Sequence, residues 1–149
     1  EGTDAAGLLE ISKENVKEKK SGDVTLYEYA PASSGGKVVA AAVPFEGPGL
    51  WGPIKGFLAL EPDMRTIKGL TFYEQEETPG LGGEIVTEDF RSRFVGKSIT
   101  DKAGNAGIAI KEGGSKLENG IDARSGATMT CDKVQEMLNK AIVKIVENE

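Results

Sequence analysis

Small and hydroxyl-bearing residues gather just before a stretch with a strong helical pattern near the C-terminus. Ser125, Thr128 and Thr130 carry the hydroxyl groups of this cluster, and such groups can cap a helix, bind a phosphate oxygen or carry a covalent phosphoryl group. Unpaired N–H groups and the positive end of the helix dipole attract anions to a helix N-terminus. Gly126 lets the backbone approach a ligand closely. From these residues alone, the cluster predicts either an anion site or an ordinary helix cap.

Two earlier glycine-bearing stretches and one lysine are further candidates for a ligand site. The first stretch, Gly49-Leu50-Trp51-Gly52, holds the only tryptophan, and the second is Glu77-Thr78-Pro79-Gly80-Leu81-Gly82. Trp51 has two interpretations, a side chain that packs into the core under a loop or an aromatic wall beside a flat ligand. Lys97 likewise is either a surface lysine or a contact to a ligand phosphate.

A C-terminal helix over residues 131–146 is the element that must position the hydroxyl cluster. Its apolar residues recur with helical spacing and form one stripe: Val134, Met137, Leu138, Ala141, Ile142, Ile145 and Val146. A stripe of this kind packs on a sheet. Because such packing is rigid, it would fix the Thr128 end of the helix in space.

The remaining pattern predicts a single α+β domain over residues 1–149. Alternating and β-branched runs predict strands over residues 24–29, 37–45, 54–60, 66–73 and 107–111. A short helix is predicted from Thr87 through Phe94, a weak helix over 4–19, and a turn-rich link over 112–120. We therefore expect a twisted antiparallel sheet of about five or six strands, with the C-terminal helix packed on one face.

Composition excludes several classes of function. A formal charge of −6 without a basic cluster argues against nucleic acid as a partner. The absence of histidine removes Ser-His-Asp arrangements and the usual zinc sites, and we predict no metal site. The single Cys131 cannot form an intramolecular disulfide, and we interpret it as a small, partly buried helix residue, although exposure there would lower its thiol pKa.

The ends of the chain bear on its relation to a membrane. No stretch approaches the roughly 18 to 20 apolar residues that span a bilayer. The chain opens with Glu1 instead of Met, so we expect that an N-terminal signal or anchor is missing from it.

The order Asp-x-x-Ser-Gly-Ala-Thr from Asp122 to Thr128 resembles the flavinylation signature of bacterial FMN-binding domains. In that signature, a flavin transferase esterifies the phosphate of FMN onto the last threonine. The resemblance implies that Thr128 is the attachment residue and that Asp122 belongs to what the transferase recognises.

All three stretches together are similar to the NqrC family, which supplies one subunit of the sodium-translocating NADH:quinone reductase. The similarity runs from about Lys37 to the end and includes residues 66–75 and Phe94-Val95-Gly96-Lys97. It implies an electron carrier with covalent FMN that relays electrons from NADH toward ubiquinone or menaquinone, together with other subunits of a membrane complex. It also implies an N-terminal membrane helix and a soluble domain on the periplasmic side of the bacterial inner membrane.

Carried over by position, the resemblance places two groups of residues around the cofactor. It implies that the phosphate is surrounded by Ser125, Gly126, Ala127 and Thr130. It implies that the isoalloxazine lies along Glu77, Thr78, Gly80, Leu81 and Gly82, with Leu50 and Trp51 nearby. A carboxylate such as Glu77 close to the ring would disfavour added negative charge on reduction.

Two alternatives stay open from the sequence. One is an FMN-binding domain of another system, either an RNF-type electron-transport complex or an extracellular electron-transfer lipoprotein. The other is a flavin-free binding or assembly module in which Thr128 is only a helix cap. The first two glycine-bearing stretches favour the sodium pump.

Overall fold

The computed structural model describes residues 16–21 and 24–147, which form an antiparallel five-stranded meander with a long helix on one face. Consecutive strands are neighbours throughout this sheet, in the order β1 (Val16–Ser21), β2 (Val24–Tyr29), β3 (Ala40–Pro48), β4 (Pro53–Leu60) and β5 (Ile67–Glu74). The elements that follow are α1 (Glu88–Ser92), β6 (Ala109–Lys111), β7 (Gly120–Asp122) and α2 (Thr128–Glu147). Strands β6 and β7 form a separate, parallel two-stranded sheet.

Helix α2 packs its apolar stripe against the sheet and contacts β3 most extensively. Val134, Leu138 and Ile142 of the stripe are fully buried, as are Leu58 and Ile67 of the facing strands. Burial of these side chains is the main source of stability for the helix, since isolated helices in water are marginal. The sheet therefore holds the N-terminal end of α2 in a defined place.

Two amides on α2 also hold the segment that contains β6. Asn139 accepts a hydrogen bond from the Ile108 N–H through Oδ1 (2.7 Å) and donates to the Ile108 carbonyl through Nδ2 (3.0 Å). Gln135 Oε1 accepts from the Ile110 N–H at 2.7 Å. These side chains satisfy backbone groups that a neighbouring strand would otherwise satisfy, so β6 joins the helix without entering the large sheet.

Most of the predicted elements are confirmed, with shifts at their ends. The strand over 24–29 has the predicted bounds, and the strand predicted over 37–45 is β3 at Ala40–Pro48. Helix α2 begins at Thr128, three residues before the predicted start. The α+β class, with five antiparallel strands and a packed C-terminal helix, is also confirmed.

One prediction of local structure is wrong. Residues 16–19 belong to strand β1 and not to a helix, since pairing with β2 from Val16–Tyr29 to Ser21–Val24 outweighs a weak helical pattern. The rest of that prediction, over residues 4–15, lies outside the described residues. The turn-rich link predicted over 112–120 is confirmed, with a short 3₁₀ helix at Gly114–Lys116, and its last residue begins β7. None of the helices described here is long and apolar enough to cross a membrane.

Candidate functional site

A pocket of about 360 Å³ lies at the N-terminal end of α2. Its volume falls in the range of small-molecule and cofactor sites. The three glycine-bearing stretches of the sequence converge on it, and its lining consists of Leu50, Trp51, Thr78, Leu81, Gly82, Gly126, Ala127, Thr128, Met129 and Thr130. Nine of these ten residues are predicted site residues, and Met129 is the addition.

One end of the pocket is formed by the first turn of α2. We call it the phosphate-like end because its backbone donors suit a phosphate group. Gly126 has a φ of 84°, and the Ala127 N–H donates to the Arg124 carbonyl at 2.9 Å, so a tight turn leads into the helix. The first helical hydrogen bond runs from the Cys131 N–H to the Ala127 carbonyl at 2.8 Å. Within the described part of the chain, the N–H groups of residues 128–130 have no acceptor. These three donors and the exposed hydroxyl of Thr128 form a site suited to a phosphate or phosphoester.

Four apolar residues of the pocket lining are exposed to solvent. Trp51 is 71% exposed, Met129 65%, Leu81 53% and Leu50 39%. An exposed apolar patch that borders a pocket is typical of a ligand or partner site. Trp51 therefore belongs to the wall of the pocket, and the interpretation that it packs into the core is wrong. Sequence reasoning missed Met129. The signal that could have found it is an apolar side chain in the first turn of α2 that lies outside the buried stripe.

Glu77 stands behind the wall and joins all three stretches. Only 4% of the residue is exposed. Its Oε1 accepts hydrogen bonds from the Leu50 N–H at 3.1 Å and from the Thr130 hydroxyl at 2.8 Å, and its Oε2 accepts from the Trp51 N–H at 3.1 Å. The carboxylate thus contacts the site through other residues, and it is not among the residues that line the pocket.

Two arginines hold the segment that leads into the hydroxyl cluster. Arg93 Nη1 donates to the carbonyls of Asp122 and Ala123 at 3.0 and 3.2 Å. Arg124 and Arg93 both form ion pairs with Asp89, at 2.7 and 2.8 Å. Because Asp89 lies in α1, this network ties the turn before α2 to a second helix.

Comparison with known proteins assigns the family. Residues 49–143, which contain the whole lining of the pocket, match the family model of the FMN-binding domain. The chain belongs to the FMN-binding domain family. This assignment agrees with the family that the signature from Asp122 to Thr128 predicts.

Relatives of this FMN-binding domain are NqrC subunits of one enzyme complex, the Na(+)-translocating NADH-quinone reductase. The NqrC of Neisseria meningitidis serogroup A is 44% identical over 108 residues, which are 72% of this chain and 42% of the relative. The NqrC of Vibrio anguillarum is 43% identical over 104 residues, which are 68% and 41%. The domain thus spans less than half the length of these curated relatives.

Solved structures agree with this grouping. The crystal structure of Shewanella oneidensis NqrC matches with a TM-score of 0.68 and 30% identity, over 93% of this chain and 72% of the other. The crystal structure of the same reductase component from Parabacteroides distasonis matches with a TM-score of 0.70 and 31% identity, over 85% and 64%. The resemblance to the NqrC family that the motifs indicate is confirmed.

The structure does not bring five of the predicted residues to the pocket lining of the FMN-binding domain: Glu77, described above, and Gly80, Lys97, Asp122 and Ser125. Lys97 Nζ donates to the carbonyls of Ser115 and Leu117 at 2.8 and 3.0 Å, so its ammonium is held away from the pocket. The Asp122 carboxylate accepts from the Ser115 N–H at 2.9 Å. That hydrogen bond, aided by the nearby cations of Arg93 and Lys97, holds the pKa of Asp122 below its ordinary value.

Cys131 of the FMN-binding domain lies in the core next to the pocket. It is 1% exposed, and burial raises the pKa of its thiol. Cys131 is thus a small helix residue as predicted, but it is fully buried where the sequence predicts partial burial, and a low thiol pKa at this helix start would require exposure.

A thiol-reactive aromatic disulfide is therefore expected to leave the folded domain unlabelled at neutral pH. In concentrated urea the same reagent should label one thiol per chain, since the sequence contains one cysteine. Release of the coloured thiolate measures both reactions, and rapid labelling of the folded domain would contradict the burial of Cys131.

Proposed function

We propose that this domain carries FMN as a phosphoester on the Thr128 hydroxyl and serves as the electron-carrying NqrC component of a sodium-translocating NADH:quinone reductase. The observation that carries the proposal is the exposed Thr128 hydroxyl. It lies at the start of a 20-residue helix, in a pocket that the three glycine-bearing stretches line. Membership of the FMN-binding domain family supports the identity of the cofactor.

The residues of the pocket fit the two halves of FMN. The N–H groups of residues 128–130 and the helix dipole stabilise the negative charge of a phosphate diester. The exposed faces of Trp51, Leu81 and Met129 supply apolar contact for a flat ring system. Gly82 and Gly126 line the pocket without side chains and so leave room for close approach.

An electron carrier needs little catalytic apparatus from its own chain. The bound flavin supplies the redox chemistry, while the protein supplies position, burial and electrostatics. A covalent ester on Thr128 would keep the flavin attached even though the pocket is open on its apolar side. The chain contains no histidine, and this role requires no general base.

The place of the domain in the complex is part of the proposal. The relatives from Neisseria and Vibrio support a membrane redox complex, and favour the sodium pump over an RNF-type or extracellular system. In this assignment, electrons pass from NADH through the other subunits toward ubiquinone or menaquinone. Maturation requires a flavin transferase, and an N-terminal membrane helix holds the domain on the periplasmic side of the inner membrane.

The carrier role is tested with the full-length protein in its assembled complex. A Thr128→Ala complex is expected to reduce quinone at background rate, while its oxidation of NADH by an artificial acceptor stays at the wild-type rate. A Ser33→Ala complex is the control, because it removes an exposed hydroxyl outside the pocket lining. Full quinone reduction by an assembled Thr128→Ala complex would contradict the carrier role of this residue.

A further inference from the structure

One buried acid, Glu77, lies behind the pocket wall, and the proposed flavin chemistry does not use it. Its carboxylate faces three hydrogen-bond donors, at 3.1, 3.1 and 2.8 Å. Among the described residues, every buried side-chain nitrogen or oxygen has a hydrogen-bond partner, and the oxygens of Glu77 are no exception. Since the two backbone N–H groups can only donate, both carboxylate oxygens act as acceptors here.

The donors to Glu77 come from two separate elements, the turn between β3 and β4 and the first turn of α2. Leu50 and Trp51 lie in the turn between β3 and β4, which closes through a hydrogen bond from the Gly49 N–H to the Gly52 carbonyl at 2.8 Å. Thr130 lies in the first turn of α2, 53 residues further along the chain than Glu77. The carboxylate is therefore the point at which the aromatic wall is joined to the phosphate-like end.

Two glycines allow this close packing around the carboxylate. A Cβ atom at Gly49 would lie 2.9 Å from Glu77 Oε2, and one at Gly82 would lie 3.1 Å from Glu77 Cβ and would overlap the Thr130 hydroxyl. Side chains at either position would force the buried acid and its donors apart. Glycine at both positions thus leaves room for Glu77 and its donors, and at Gly49 it also leaves room for Ile54 and the Gly52 carbonyl.

We propose that Glu77 is the positioning residue of this site. Its carboxylate sets the angle between the Leu50-Trp51 wall and the N-terminus of α2, and it places a negative charge directly behind the pocket wall. The part that concerns the flavin rests on the proposed function. Because the charge is buried, solvent screens it weakly, so it disfavours the additional negative charge of a reduced flavin.

The positioning role is tested on the flavin-free domain by hydrogen exchange of the Leu50 and Trp51 amides, measured by NMR. Glu77→Gln keeps the length of the side chain but removes its charge and turns one acceptor into a donor. Exchange of both amides is expected to accelerate about ten- to a hundredfold, the range for loss of a hydrogen bond to a charged group. Glu76→Gln is the matched control, because Glu76 is exposed and adjacent in sequence.

Exchange rates in Glu77→Gln that equal those of Glu76→Gln would overturn the positioning role. If Glu77→Gln does not fold, Glu77→Asp keeps the charge and withdraws the oxygens by one methylene group. In that variant the same two amides are expected to exchange faster than amides of the central strands. Uniform exchange across the chain would overturn the proposal.

The electrostatic role is tested on the flavin-loaded domain by measuring the midpoint potential of the FMN. Glu77→Gln is expected to shift this potential in the positive direction, and by more than Glu76→Gln, whose exposed charge is screened. Equal shifts in the two variants would overturn the electrostatic role. If the wild-type domain never acquires FMN, the proposed function fails, yet the amide exchange still decides whether Glu77 positions the pocket.

Discussion

A Thr128→Ala variant that is coexpressed with a flavin transferase is expected to carry no covalent FMN, whereas the wild-type domain gains the mass of one FMN less one water. The variant lacks the hydroxyl oxygen that would form the ester bond. Thr128 is exposed, and a substitution there should change the stability of the fold by no more than about 0.5 kcal/mol. Intact mass after denaturation measures the effect, since it removes flavin that is only bound noncovalently.

Matched samples make the result specific to this position. Ser33→Ala removes another exposed hydroxyl and is expected to gain the same mass as the wild type. An unmodified mass in the wild type, with the transferase active on another substrate, would contradict the assignment. It would favour the alternative of a flavin-free binding or assembly module in which Thr128 only begins the helix.

Leu138→Ala is expected to lower the free energy of unfolding by about 2 to 5 kcal/mol. Leu138 is fully buried in the centre of the α2 stripe, and truncation leaves a cavity between the helix and the sheet. Urea denaturation followed by circular dichroism measures the loss, which should appear as a lower midpoint with an unchanged slope. A loss of this size would threaten the site as well, because α2 carries its phosphate-like end.

Val143→Ala serves as the control on the same helix. Val143 is 37% exposed and lies off the buried stripe, so its truncation should change stability by about 0.5 kcal/mol or less. Similar losses in the two variants would mean that α2 is not anchored through the stripe. The contrast thus tests the packing that fixes Thr128 in space.

Features that depend on short stretches of the chain could be predicted from the sequence. The period of the apolar residues predicts α2 and its buried face, because helical geometry relates neighbours only three or four positions apart. The residues from Asp122 to Thr128 likewise predict a helix N-terminus nearby, although α2 begins at Thr128, three residues before the predicted start. Alternation predicts the strand over 24–29, which the structure has with the same bounds.

Features that depend on distant parts of the chain were decided by the tertiary structure. Residues 16–19 form a strand because β2 is available to pair with them, and the weak local pattern does not contain that information. The parallel pairing of β6 with β7 depends in the same way on the path of residues 112–119, which place the two strands side by side.

The division is clearest among the predicted site residues. Nine of them meet in the pocket, but Glu77 lies behind its wall and Lys97 is held by the carbonyls of Ser115 and Leu117. The type of a charged residue indicates which groups it can bind. Its actual hydrogen-bond partner depends on the elements that pack against it. The order of the motifs thus predicts the chemistry proposed for this site, and long-range packing decides which side chains line the pocket, because burial and hydrogen bonding act between segments far apart in the chain.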